Sequence, residues 1–379
     1  MVLKSRIALR APLVFLLTAA ATMVLVLPQI LLAAEPATQR LLYVIAPGIR
    51  DDLQFGGAGI LVFNIDGNHA FVKRIETAAG RLPKPENIKG VCASAATGRL
   101  YFTTLTRLYC LDLTSEKELW DKALPGGCDR LSITPDGKQL YVPSLEGPHW
   151  NVVDGQSGEV SAKIVTNSGS HNTVCSPDGA RVYCAGLKSP LLRVVDPATN
   201  EMIGLVGPFS AEIRPFTING EQTRCYVNVN RLLGFEIGDL TTGKFLERVE
   251  VKGGGVGTPA RHGTPSHGVG MTPDQREIWV CDAVGRAVHI FDLSGAHPRQ
   301  VASVALREEP GWVTFSLDGR FAYPSTGDVI DTTSRKVVTQ LHDEKGRPVE
   351  SEKLLEIDFR DGKVFRTGDQ FGIGRAAKP

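Results

Sequence analysis

The segment CSPDGARVYC, residues 175–184, combines an apolar strand, a tight turn and a second strand, and variants of it recur along the chain. Pro and Asp-Gly suit such a turn because Pro presets the backbone φ angle and Gly accepts a positive one. Alternation of apolar and polar residues on both sides indicates half-buried strands. The clear copies are ITPDGKQLYV (133–142), MTPDQREIWV (271–280) and FSLDGRFAYP (315–324), and the degenerate ones are CASAATGRLYF (92–102) and TINGEQTRCYV (217–227).

A second mark follows each copy: an apolar strand that ends in Asp, then a polar turn and another strand. The marks lie 39 to 53 residues apart, and they are Asp66, Asp112, Asp154, Asp196, Asp239, Asp292 and Asp331. Seven marks with four short strands each predict an all-β fold, a seven-bladed β-propeller with four-stranded antiparallel blades. The predicted blades span about 41–77, 88–124, 127–166, 170–208, 211–251, 266–306 and 309–344. Eight blades remain a minority alternative.

The two ends of the repeat region predict how the ring closes. The stretch LLYVIAP (41–47) resembles the second strand of a blade, so the first blade lacks its own inner strand. The stretch LLEIDFRDGKVF (354–365) again shows a strand, an Asp-Gly turn and a strand. We therefore expect the closing segment, residues 350–379, to pair with the first blade and remove the exposed sheet edge.

The N-terminus has the pattern of an export segment. Lys4, Arg6 and Arg10 precede 22 uncharged residues, 13–34. A cleaved signal peptide and an uncleaved membrane anchor both fit residues 1–34. In either case residues 35–379 form one propeller domain that is exported, to the periplasm or the cell exterior. Contact with a membrane is expected only through residues 11–34, if they are not cleaved.

Composition excludes several classes of protein. With 42 basic and 41 acidic residues and 42% hydrophobic residues, the chain suits an ordinary globular protein and gives no reason to expect nucleic-acid binding. Seven cysteines are too few for a disulfide scaffold, and we expect them to be buried strand thiols. No CxxCH motif is present, so covalent haem is excluded, and no catalytic motif or other cofactor is predicted.

The units ITPDGKQLYV, SPDGARVYC and RVVDPATNEMIG resemble the YVTN-type, or YncE-like, β-propeller repeat family. The resemblance covers about residues 41–344. It implies the propeller fold but is weak for function, because the matching residues form turns and strands. The family includes many exported proteins of unknown role, and its blades resemble those of quinoprotein amine dehydrogenases, nitrite reductases and lactonases.

Propeller topology indicates where a site would lie. The SPDG-type turns share one face, and the long connections share the other, where each inner strand begins at the mouth of the central channel. These connections are 47–59, 77–89, 143–150 and 251–265. Because long loops on a rigid scaffold usually carry function, this long-loop face is the predicted binding face.

Aligning the copies on their turns places polar residues at equivalent positions around the channel mouth. The predicted ligand-binding residues are Lys89, Asp129, His171, Arg214, His267 and Trp312, with Gly311 in the equivalent slot and Arg261 and His262 as loop candidates. His171 and His267 are also weak candidates for metal ligands. The alternative is that these residues bind no ligand, because polar residues at the starts of inner strands also face the water of the channel.

We therefore predict an exported, monomeric propeller that binds a protein or a small-molecule ligand on its long-loop face. The alternative is a propeller enzyme, a lactonase-like hydrolase or an oxidoreductase component, with its site at the channel mouth.

Overall fold

The computed structural model describes residues 1–2 and 38–375. The predicted signal or anchor, residues 1–34, lies outside the described residues except for its first two. Within the described part of the chain, no helix has the length and hydropathy needed to cross a membrane.

The described residues form 29 strands and one short 3₁₀ helix, Ala79–Arg81. The strands of the first half are β1 (Thr38–Ala46), β2 (Gly59–Asn64), β3 (Ala70–Ile75), β4 (Gly90–Ser94), β5 (Arg99–Thr103), β6 (Arg107–Asp112), β7 (Glu118–Ala123), β8 (Ser132–Ile133), β9 (Gln139–Pro143), β10 (His149–Asp154), β11 (Val160–Val165), β12 (Ser170–Cys175), β13 (Val182–Gly186), β14 (Leu192–Asp196) and β15 (Glu201–Val206). Those of the second half are β16 (Ile213–Ile218), β17 (Arg224–Val229), β18 (Gly234–Asp239), β19 (Phe245–Glu250), β20 (Val269–Met271), β21 (Glu277–Asp282), β22 (Ala287–Asp292), β23 (Arg299–Ala305), β24 (Val313–Phe315), β25 (Phe321–Pro324), β26 (Asp328–Asp331), β27 (Lys336–Gln340), β28 (Leu354–Arg360) and β29 (Lys363–Thr367).

These strands make seven antiparallel sheets, which confirms the seven-bladed propeller and removes the eight-blade alternative. Six blades are consecutive meanders of four strands, from β4–β7 to β24–β27. The remaining sheet has the order β29-β28-β1-β2-β3. Strand β28 supplies the inner strand of the first blade, with Leu354 opposite Val44 and Arg360 opposite Thr38, so the predicted closure is confirmed. The fifth strand, β29, exists because the turn at 361–362 folds the chain back onto β28.

Burial follows the position of a strand within its blade. Inner and middle strands are packed between neighbouring blades, so β12 is buried along its whole length. Outer strands alternate instead, as β7 does, because one face packs on the blade and the other meets water. The apolar clusters consequently lie between adjacent blades, for example Tyr101 with Leu131 and Val142. All seven cysteines are buried and unpaired in this arrangement.

The recurring aspartates have a local structural task. Asp136 accepts hydrogen bonds from the Thr134 hydroxyl (2.7 Å) and the Lys138 amide (3.1 Å), which closes the turn between the first two strands of its blade. Asp154 accepts one from the Ser157 amide (2.7 Å) and closes the turn before the outer strand. The repeat signature therefore specifies blade turns and carries no information about a ligand.

The C-terminal segment also fills the channel on the side of the SPDG-type turns. Beyond β29, the Gly372 carbonyl accepts hydrogen bonds from the Thr217 hydroxyl (2.6 Å) and the Met271 amide (2.8 Å), on two different blades. The side chain of Gln370 accepts from the Val91 amide (2.9 Å) of a third blade. The segment thus crosses this end of the channel, where it lines a cavity of about 240 Å³ together with the SPDG-type turns. Another cavity lies at the long-loop end.

Candidate functional site

A cavity of about 280 Å³ occupies the channel mouth on the long-loop face. The innermost strands of the blades begin here, and the loops 47–59 and 251–265 reach over it. Most of its lining is ionisable. The lining residues are Ile49, Arg50, Asn87, Lys89, Arg130, Glu146, His171, Leu187, Arg214, Arg261, His262, Gly263, His267, Glu352 and Lys353.

Asp129 and His171 form a buried pair on one side of the cavity. The Nδ1 atom of His171 lies 2.5 Å from Oδ2 of Asp129, while Nζ of Lys89 lies 3.4 Å from Oδ1. Burial alone would raise the pKa of Asp129, but His171 and Lys89 hold it well below its ordinary value. Burial lowers the pKa of His171 to about 4 in spite of the neighbouring carboxylate, so the imidazole is neutral at pH 7.

Arg130 joins this pair to the closing segment. Its Nη1 donates to Nε2 of His171 (3.0 Å), and its Nη2 donates to Oε2 of Glu352 (2.6 Å). The guanidinium also lies 4.8 Å from the ring centre of Trp312. Because Nε2 of His171 accepts from Arg130, the imidazole proton resides on Nδ1 and is donated to Asp129. Both ring nitrogens of His171 are therefore occupied.

Glu352 turns its two oxygens in different directions. Oε2 accepts from Arg130 and from Nζ of Lys353 (2.7 Å), and Oε1 faces His262, whose Nδ1 lies 3.5 Å away. Burial alone would raise the pKa of Glu352, but Lys353 and Arg130 hold it well below its ordinary value. Burial lowers the pKa of Lys353 to about 8.

The rings of His262 and His267 are stacked on the opposite wall, with centres 4.8 Å apart. His267 donates from Nδ1 to the Gly311 carbonyl (3.0 Å), which leaves its Nε2 as the acceptor nitrogen. The Nε2 atom of His262 is buried and has no hydrogen-bond partner among the residues that the structure describes. Burial lowers the pKa of both imidazoles.

Two arginines at the rim have neutral oxygens as hydrogen-bond partners. The Nε of Arg214 donates to the amide oxygen of Asn230 (2.5 Å), and Nη2 of Arg50 donates to the Arg261 carbonyl (2.6 Å). Among the described residues, no carboxylate forms an ion pair with either guanidinium, although the charges of Glu146 and Glu212 act on Arg214 from a greater distance. Arg261 differs, since its own guanidinium pairs with Glu350 at 2.8 Å.

The structure brings most of the predicted residues together. Six of the eight candidates line the cavity: Lys89, His171, Arg214, Arg261, His262 and His267. Asp129 lies behind His171 and is fully buried. Trp312 lies beneath Arg130, where its indole N–H donates to the Gln370 carbonyl (2.5 Å) and its ring packs on Phe371.

Four ionisable residues of the lining are not predicted from the sequence: Arg50, Arg130, Glu352 and Lys353. The sequence does contain a pattern that indicates the closing segment. Asp129, His171, His267 and Gly311 each lie seven residues before the Asp of the following turn. The same offset from Asp361 gives Leu354, one residue from Lys353. Arg130 directly follows the predicted Asp129. Because successive side chains of a strand point to opposite sides, the sequence pattern does not predict that both residues belong to the site. Nothing in the sequence distinguishes Arg50 from other loop arginines.

No protein-family model matches the chain, and no curated protein sequence matches it. Among solved structures, the chain is similar to one titled Kuenenia stuttgartiensis hydrazine synthase, with a TM-score of 0.43 and 17% identity. The alignment covers 64% of this chain and 95% of that one.

Proposed function

We propose that this propeller is a binding module whose channel-mouth cavity takes a small ligand bearing carboxylate or phosphate groups. The supporting observation is the charge of the lining, in which six cationic side chains face only two acidic ones, Glu146 and Glu352. Cavities of about 300 Å³ lie at the lower end of those that bind small molecules. The proposed ligand is therefore the size of a small metabolite.

Arg50 and Arg214 are the residues on which the proposal depends most. The other cations of the lining have carboxylates beside them, as Arg130 has Glu352 and Lys89 has Asp129. A guanidinium that contacts only neutral oxygens keeps its full charge and free N–H groups for an incoming anion. Burial lowers the pKa of Arg214, which indicates that its charge is poorly solvated in the free protein.

The hydrogen bonds favour binding over catalysis. The Asp129–His171 pair has the form of an oriented general base, but the lone pair such a base needs is engaged by Arg130. The network of Asp129, His171, Arg130 and Glu352 instead holds the guanidinium rigidly in the cavity wall. We therefore propose the binding module in preference to the propeller enzyme.

Membership in the YVTN-type family and export of residues 35–379 are part of the proposal. The repeat supports the first, and the basic, then apolar, pattern of residues 1–34 supports the second. We expect a monomer without a resident organic cofactor. Fractionation of the producing cell, with mass spectrometry of the mature N-terminus, tests export and separates cleavage from anchoring.

Calorimetric titration of the full chain with inorganic phosphate and with citrate tests the binding function. We expect Arg214→Gln to weaken binding about tenfold or more, because one charge-assisted hydrogen bond contributes about 1.5–3 kcal/mol. Arg276→Gln is the matched control, since that arginine is 82% exposed and lies away from the cavity. The proposal fails if neither anion binds to the folded protein, or if the two variants bind equally well.

A further inference from the structure

We infer that His262, His267 and Glu352 form a binding site for a divalent first-row transition metal ion of the zinc or iron(II) type. One nitrogen or oxygen from each residue lies within 4.8 Å of the other two. Bonds of about 2.1 Å place tetrahedral ligand atoms about 3.4 Å apart, so a closure of about 1 Å completes the site. This inference does not depend on the proposed anion function.

The donor set selects the class of metal. Two imidazoles and one carboxylate suit zinc and iron(II), whereas magnesium and calcium require a shell of oxygen atoms. Three protein ligands leave a coordination position open toward the cavity, as in catalytic metal sites. All seven cysteines are buried, and among the described residues the group whose ligand atoms meet here contains no cysteine.

Each ligand is held by a second group, as metal ligands usually are. The Gly311 carbonyl accepts from Nδ1 of His267, which also lies 4.0 Å from Oε1 of Glu352, and this hydrogen bond fixes the ring and leaves the Nε2 lone pair free. Arg130 and Lys353 bind Oε2 of Glu352 and leave Oε1 on the side of the histidines. These two cations also weaken attraction for a dication, so we expect micromolar rather than nanomolar affinity.

The loop that carries His262 is fixed by Glu309. This buried carboxylate accepts from the amides of residues 260, 261 and 262 at 2.9, 2.9 and 3.1 Å. Backbone anchoring of this kind preorganises the imidazole without using its ring nitrogens. Nδ1 of His262 faces Oε1 of Glu352 at 3.5 Å, and its buried Nε2 has no hydrogen-bond partner within the described part of the chain. A buried nitrogen of this kind is costly unless a ligand takes its lone pair.

Gly311 leaves the space between the imidazole and the carboxylate open. A Cβ atom at this position would lie 2.3 Å from Nε2 of His262 and 2.6 Å from Oε1 of Glu352. In the other aligned blades this slot carries Lys89, Asp129, His171 or His267. The missing side chain of the seventh blade thus makes room for the histidine from the 251–265 loop.

Equilibrium dialysis of the full chain against Zn²⁺, with elemental mass spectrometry, tests the site. We expect one equivalent in the unmodified chain and at least tenfold weaker binding in His262→Ala and His267→Ala, since even loss of a supporting residue costs 10- to 100-fold. Gly311→Ala should weaken binding similarly while all three ligands remain. His297→Ala, at a histidine whose side chain is 78% exposed, is the control that should change nothing.

Cobalt(II) absorption in the same variants identifies histidine ligation directly, and thermal unfolding shows which variants are folded. His262→Gln replaces His262→Ala if the latter unfolds. The inference is overturned if the folded chain binds no zinc, or if both histidine variants bind it as the unmodified chain does. Zinc binding is measured in His262→Ala and His267→Ala, and anion binding in Arg214→Gln, so failure of the anion proposal and failure of the metal site give different results.

Discussion

The side chain of His69 shows how burial sets the charge of a single residue in this fold. It lies between two blades, with Nε2 3.0 Å from the hydroxyl of Tyr323 and its ring 4.8 Å from that of Phe321. Burial, together with the nearby charges of Arg40 and Arg320, lowers its pKa to about 4. The His69 imidazole is therefore neutral in the folded protein, and protonation of its ring destabilises the fold.

This pKa shift predicts a dependence of stability on pH. In the unfolded chain His69 binds a proton below about pH 6.5, whereas in the folded chain it binds one only below about pH 4. The free energy of unfolding therefore falls as the pH is lowered from 6.5 to 4. A shift of this size corresponds to about 3 kcal/mol. In His69→Asn the loss between pH 6.5 and 4 should be smaller, and Asn also accepts the positive φ of 55–57° found at residues 68 and 69.

Chemical denaturation at several pH values measures this difference. His342→Asn, at an exposed histidine, is the control and should keep the slope of the unmodified chain. Parallel stability curves for His69→Asn and the unmodified chain would contradict the assignment.

The hairpin between the first two strands of a blade combines three requirements. A side-chain oxygen must close the turn, as Asp136 does, and a residue must adopt a positive φ, as Gly137 does at 74°. Space must also be left for the neighbouring blade. The third requirement is a property of the packed ring and is absent from the hairpin alone.

Replacing two turn glycines separates backbone strain from packing. Gly98 and Gly137 both have a positive φ, but a Cβ at Gly98 would meet no atom within 4 Å, whereas at Gly137 it would lie 2.6 Å from Ser94 and Thr97. We expect Gly98→Ala to cost about 1 kcal/mol from the left-handed backbone. Gly137→Ala should cost about 1 to 3 kcal/mol more from the clash.

Denaturant titration of both variants gives the two free energies of unfolding. An equal decrease in the free energy of unfolding for both variants would show that Ser94 and Thr97 move aside for the added Cβ. Backbone strain would then account for the whole effect.

Closure and channel filling are separate tasks of the C-terminal segment. Strand β28 completes the first blade through its ladder with β1. Residues 369–375 then bind the inner strands of other blades and support the cavity from below, because the Gln370 amide donates to the Glu352 carbonyl (3.1 Å).

Two truncations distinguish these tasks. A chain that ends at Gly368 keeps β28 and β29, so we expect cooperative unfolding at a reduced temperature. A chain that ends at Lys353 leaves β1 unpaired on its channel side, and we expect its cooperative transition to be lost. Calorimetry measures both, and a cooperative transition of unchanged temperature in the shorter chain would refute the role of closure.

The fold could be predicted because its information is local and repeated. Each SPDG-type turn and each strand-ending Asp defines one hairpin through contacts within about five residues, as Asp136 and Asp154 show. Seven such units with a regular period permit few architectures other than a ring. The same alignment also identified Lys89, His171, Arg214 and His267 of the cavity lining, since equivalent positions in a symmetric ring face the same channel.

The chemistry of the site required the tertiary structure, because it depends on contacts between residues far apart in sequence. Glu352 meets Arg130 across 222 residues, and His262 enters the slot that Gly311 leaves empty. The sequence by itself determined the propeller, its closure and the face on which polar groups collect. Only the packed ring decided which charges are paired, which arginines remain without a carboxylate and which histidines meet, since burial and distance set those energies.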